Sequence, residues 1–85
     1  MPLHRVELAP RVLRELRRID AGPRRRIDVA ISALAVNPRP RGCRKLSSSE
    51  QYRIRVGDYR VLYEIEDDVL RVLVVKVGHR RDVYE

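Results

Sequence analysis

The chain has no Phe and no Trp, a single Cys and only two His among its 85 residues. Without the large aromatics, a core must be assembled from Val, Leu, Ile, Ala and some of the four Tyr. Cys43 has no second cysteine to pair with, which fits a reducing, cytoplasmic setting. It sits in a Pro/Arg/Gly loop with no evident base nearby, so it makes a poor nucleophile. His4 and His79 lie at opposite ends of the sequence, and neither HExxH nor CxxC occurs, so no metal site is expected. A glycine-rich phosphate loop is also missing, and no elbow motif frames Ser47, Ser48 or Ser49 as a nucleophile. Long apolar runs are absent as well. The longest aliphatic stretch, Val72 to Val75, is far short of the roughly 20 residues that span a bilayer, and the opening MPLHRVELAP has no apolar signal region. These absences point to a soluble cytoplasmic protein without a membrane partner, and the length suits one domain spanning 1–85.

What the chain does have is positive charge. Nineteen Lys and Arg against twelve Asp and Glu leave a formal charge of +7, and most of the excess is Arg. That balance favours a polyanionic partner, nucleic acid first and an acidic protein second.

The most informative stretch is Gln51 to Ile65, QYRIRVGDYRVLYEI. Gly57-Asp58 forms a two-residue turn between alternating runs, with Gly supplying the positive φ such turns need. A two-residue loop fixes register, so Val56 faces Tyr59, Arg55 faces Arg60, Ile54 faces Val61 and Arg53 faces Leu62. One face of the hairpin is then Tyr52, Ile54, Val56, Tyr59, Val61, Tyr63 and Ile65, and the other carries Arg53, Arg55 and Arg60. Like charges directly opposite each other cost roughly 0.2–1 kcal/mol. Either these are ordinary solvated arginines of a basic protein, or the conflict is kept because guanidinium forks hold phosphate.

Around the hairpin, Leu3 to Leu8 alternates as a short strand. Pro10 opens a helix whose apolar stripe is Val12, Leu13, Leu16 and Ile19. After the break at Asp20 to Pro23, Ile27, Ala30, Ile31 and Leu34 define a second amphipathic helix ending near Val36. Arg24, Arg25 and Arg26 occupy its first turn, where the macrodipole disfavours cations; a solvated run and a partner contact are both open readings. Asn37 to Glu50 is largely loop, with Cys43 to Leu46 as a short edge strand. Val69 to Val77 is the most β-prone segment and suits a central strand buried on both faces, ended by Gly78. If Asp67-Asp68 is a second two-residue loop, Glu64 faces Arg71. The tail from His79 to Glu85 is basic and aromatic and is expected beside the arginine face.

Arg53, Arg55 and Arg60 with His79, Arg80, Arg81 and Tyr84 supply the groups for metal-free RNA cleavage. The 2′-hydroxyl attacks phosphorus, arginines neutralise the developing charge, one group takes the 2′ proton and another protonates the 5′ oxygen. Histidine is the side chain suited to proton exchange near neutrality, and Tyr84 could equally dock on the sheet.

The element order, the stretch KLSSSEQYRIRVGDYRVLYEI and the terminal VGHRRDVYE together resemble the RelE/ParE superfamily of toxins from bacterial toxin–antitoxin modules. The likeness covers essentially the whole chain and leans to the RelE side. It implies an α+β fold in the order β-α-α-β-β-β, with a small, mainly antiparallel sheet and an αα-hairpin on one face. It also implies a cognate antitoxin that wraps around the toxin, a hetero-oligomer of the two on operator DNA, and ribosome-dependent cleavage of mRNA without a metal or other cofactor. Arg53 and Arg55 fall where RelE-type toxins place basic residues on the central strand. Arg60 matches the arginine of GxYR, His79 and Arg80 follow the VG dipeptide, and Tyr84 matches the tyrosine of the closing VY. These six are the candidate catalytic residues, with Arg44, Lys45 and Arg81 as candidate substrate-binding residues. One departure stands out: relatives carry lysines at the two strand positions, whereas arginine is a poor general base. Phosphate holding would then fall to Arg53 and Arg55, and proton transfer to His79 or Tyr84. The alternative the resemblance allows is a ParE-type DNA gyrase inhibitor without nuclease activity.

Overall fold

Alternation of Val6 and Leu8 with Arg5 and Glu7 produces the first strand, β1 (Arg5–Leu8). The computed structural model of the chain describes residues 3–47 and 49–82. Pro10 stands at the first position of α1 (Pro10–Arg17), where its missing N–H costs nothing. Val12, Leu16 and, just past the helix end, Ile19 are buried, but Leu13 is 49% exposed. It lies at the margin of the apolar stripe and turns away from the core. The second helix, α2 (Ala21–Ala33), takes Gly22 and Pro23 into its first turn and buries Ile27 and Ile31.

The remaining strands are β2 (Arg44–Lys45), β3 (Gln51–Val56), β4 (Tyr59–Glu66) and β5 (Arg71–His79). They form one five-stranded sheet in the order β1-β5-β4-β3-β2. β1 runs parallel to β5, while all other neighbours are antiparallel. The fold is therefore α+β, with both helices on one face. There Val12, Leu16, Ile19, Ile27, Ile31 and Leu34 pack with Ile54, Val61, Tyr63, Val72, Val74 and Val77 in one core cluster.

The hairpin register is the one the two-residue turn dictates: Val56 opposite Tyr59, Arg55 opposite Arg60, Ile54 opposite Val61 and Arg53 opposite Leu62. Gly57 has φ +59, the left-handed conformation glycine adopts without a steric cost. The β4–β5 connection differs from expectation. A 3₁₀ turn (Asp67–Val69) followed by Leu70 at φ 52 replaces a two-residue loop. Arg71 accordingly pairs with Glu66 and not with Glu64, whose partner is Leu73. β5 is an interior strand between β1 and β4, while the middle of the sheet is β4, and its burial alternates: Val72, Val74 and Val77 are buried, and Leu73 and Val75 only partly so. Gly78 does not end it, because Gly78 pairs with Arg60 and His79 with Tyr59. A register shift beside Leu62 and Tyr63 makes Lys76 the partner of one and Val74 that of the other, so Val75 is the extra residue of a bulge.

At the end of the sheet away from the hairpin tip, a polar clamp ties loop to turn. Asp67 accepts hydrogen bonds from Arg39 Nη2 at 2.9 Å and from His4 Nε2 at 3.1 Å. Arg39 and then His4 hold the Asp67 carboxyl below the usual carboxylate range, and Arg39 also lies 5.3 Å over the Tyr52 ring. Tyr52 stacks on Tyr63, whose buried hydroxyl donates to the Pro38 carbonyl at 2.8 Å. Burial pushes the Tyr63 phenol well up from its ordinary value.

Candidate functional site

Strand alternation sends Arg53, Arg55 and Arg60 to the sheet face that the helices leave open. Charge on that face is segregated. Near β1, Arg71 pairs with Glu7 at 2.7 Å and with Glu66 at 3.0 Å, and Arg5 reaches Glu7 at 3.5 Å. Toward the hairpin tip the face carries arginine, and there Arg55, Gly57, Tyr59, Arg60 and Arg80 line a concave pocket of about 190 Å³.

The chain reaches this pocket from two directions. Arg55 and Arg60 arrive as a directly opposed cross-strand pair. Arg80 arrives from the end of β5, where its backbone N–H donates to the Asp58 carbonyl at 2.8 Å and pins the start of the tail to the hairpin turn. Three guanidinium side chains so gathered offer planar, bidentate donors to a tetrahedral anion.

Arg53 lies on the same face but is only 3% exposed, opposite Leu62 at 5%. It is not a solvated surface arginine and has a partner of its own. Arg44 shares its face as the register partner of Arg53, whereas Lys45 pairs with Tyr52 on the helix side and lies 3.8 Å from Glu50. Arg81 is exposed in the turn after β5. Tyr84 lies outside the described residues.

His79 falls on the other side. Pairing with Tyr59 turns its ring toward the helices, edge-on to the Tyr59 ring at 5.6 Å between centroids. Here α1 packs along the part of β5 that β1 does not reach, and Glu15 Oε1 accepts the Val77 N–H at 2.9 Å. A second cavity of about 460 Å³ opens between them, lined by Arg11, Glu15, Arg18, Lys76 and His79 among others. Tyr59 lines both cavities, and so marks the boundary between the side of the imidazole and that of the arginine pocket. His79 Nδ1 accepts the Arg81 N–H at 3.2 Å, which places the proton of a neutral ring on Nε2.

Sequence reasoning missed Tyr59 as a pocket wall, because alternation assigns it to the apolar face and does not show that it ends at the rim. It also missed the contribution of α1. The only hint was an acidic residue, Glu15, among the arginines of that helix. Among the described residues, no three His, Cys, Asp or Glu side chains gather as a metal site would require, and no helix is long and apolar enough to cross a membrane.

Comparison with known proteins places this geometry in context. The sequence model described as ParE toxin of type II toxin-antitoxin system, parDE, matches residues 6–84. A protein of Methanocaldococcus jannaschii described as toxin RelE1 is 29% identical over 84 residues, covering 94% of this chain and 93% of its own. The archaeal RelE-RelB complex from Pyrococcus horikoshii contains a chain that superposes with a TM-score of 0.84 at 26% identity, covering 95% of this chain and 99% of that one. The RelB-RelE antitoxin-toxin complex from Methanococcus jannaschii gives a TM-score of 0.72 at 25% identity, with coverage of 92% and 94%.

Proposed function

The chain belongs to the ParE toxin family of type II toxin–antitoxin systems, within the RelE/ParE superfamily, and we propose that it is a ribosome-dependent, metal-independent mRNA endoribonuclease held in check by a cognate antitoxin. The observation that carries this reading is the convergence of Arg55, Arg60 and Arg80 on one pocket at the hairpin tip. The antitoxin follows from the similar toxins that were solved as complexes with RelB.

In this mechanism the 2′-oxygen attacks the adjacent phosphorus, the bond from phosphorus to the 5′-oxygen breaks, and a cyclic phosphate is left on the upstream ribose. Negative charge builds on the non-bridging oxygens as the phosphorus becomes five-coordinate. Arg55, Arg60 and Arg80 offset that charge in place, and Arg53 stiffens the strand beneath them. None of these guanidiniums can take the 2′ proton, because arginine stays protonated throughout the working range. Tyr84 is left as the candidate proton carrier, because the ring of His79 lies on the helix side of the sheet, away from the arginine pocket. The arrangement therefore loads most of the rate enhancement onto electrostatics and less onto general base catalysis.

The test is a ribosome programmed with a defined mRNA. Adding the protein should cut the message at one position relative to the occupied codon. An intact message would overturn the proposal.

A second reading, a DNA gyrase poison without nuclease activity, is favoured by one observation, the match to the ParE description. Gyrase-dependent DNA breaks with intact mRNA would establish it.

A further inference from the structure

The wall of the arginine pocket at Gly57 has a cation behind it. A methyl group built at the Cβ position of Gly57 would lie 3.8 Å from Nη2 of Arg26, so a guanidinium from the second turn of α2 (Ala21–Ala33) reaches the hairpin turn beside the pocket. Arg26 is exposed and has no ion-pair partner among the described residues. It is the last of three consecutive arginines, Arg24 to Arg26, which the start of α2 at Ala21 carries past the first turn where the sequence pattern puts them.

We propose that Arg26 is a phosphate-binding residue, holding the backbone phosphate next to the one seated among Arg55, Arg60 and Arg80 on a single nucleic-acid strand laid over the hairpin tip. The proposal rests on the pocket being the RNA-phosphate site described above, and extends that site by one nucleotide. Arg25, one residue earlier and equally exposed, has no such contact and supplies the internal control.

The experiment measures binding of a fluorescein-labelled single-stranded deoxyuridine oligonucleotide, which cannot be cleaved by 2′-oxygen attack, over a range of salt concentrations. Each phosphate neutralised on a single strand contributes about −0.7 to the log–log slope. Arg26→Ala should make the slope shallower by about 0.7, Arg26→Lys should keep it, and Arg25→Ala, with the same change in net charge, should leave it as in the wild type. Equal effects of Arg25→Ala and Arg26→Ala, no effect of Arg26→Ala, or a wild type that does not bind the oligonucleotide at low salt would each overturn the proposal. Binding is read without cleavage, so the two readings separate. A wild type that spares mRNA on ribosomes but shows the Arg26 slope change removes the nuclease and keeps the phosphate contact. Intact cleavage with an unchanged slope removes Arg26 alone.

Discussion

Arg55 and Arg60 stand directly opposite each other just behind the turn of the β3–β4 hairpin, two cations at a cross-strand position where opposite charges would stabilise the sheet. Replacing Arg55 by Thr relieves the repulsion, so stability should hold or rise by about 0.2–1 kcal/mol. Cleavage of ribosome-bound mRNA should meanwhile fall by roughly 100-fold or more, the typical cost of losing a donor to developing charge. Urea unfolding and the cleavage rate, measured on the same preparation, check both halves. A variant that loses stability and activity in proportion would make Arg55 structural.

Arg53 should behave in the opposite way. At 3% exposure opposite Leu62, it is packed into the sheet, and Arg53→Ala should cost about 1–3 kcal/mol by removing its packed stem and leaving its partner unsatisfied. The exposed Arg55→Ala should stay within about 0.5 kcal/mol of the wild type. Denaturant midpoints of the two variants test the contrast.

The Tyr63 hydroxyl gives a buried hydrogen bond to the Pro38 carbonyl at 2.8 Å. Tyr63→Phe should destabilise the fold by about 1–2 kcal/mol, because the acceptor is left without its donor. Cleavage should be unchanged at temperatures where the variant is folded, since the bond lies at the end of the sheet away from the arginine pocket. Thermal melting paired with a cleavage assay would show this.

Asp67 sets an acid limit on stability. Its carboxyl is held low by Arg39 and His4, so the clamp's contribution is fully present above the ordinary carboxylate value of about 4 and is lost as pH falls through the lowered native value. Asp67→Asn should be less stable than the wild type near neutrality, and the gap should close in acid. A gap that stayed constant down to about pH 2 would mean that ionisation of Asp67 is not involved.

How far the sequence could be read depended on how tightly neighbouring residues constrain each other. The Gly57-Asp58 turn is two residues long, so every hairpin pair followed from it. Asp67-Asp68 has the look of a similar turn, but Val69 and the left-handed Leu70 lengthen it, and that shifted Arg71 from Glu64 to Glu66. The parallel pairing of β1 with β5 joins segments more than 60 residues apart, a distance at which local pattern is silent. The bulge at Val75, which shifts the alternation of β5 against β4, decides the side on which His79 emerges. Alternation put Arg53 on the open face correctly, but not its burial, because coverage of a face is a tertiary property. The cationic pocket was legible in its strand residues and in Arg80. Its approach by Arg26 was not, since the arginine run looks the same whether it faces water or the hairpin tip.

The most direct test of the account is a single-atom change in the substrate. A programmed ribosome is given an mRNA with one 2′-deoxynucleotide at the cut site, beside an otherwise identical all-ribose message. If the arginine pocket serves attack by the 2′-oxygen, the all-ribose message is cut and the deoxy message survives intact. Cutting of both at similar rates would contradict it.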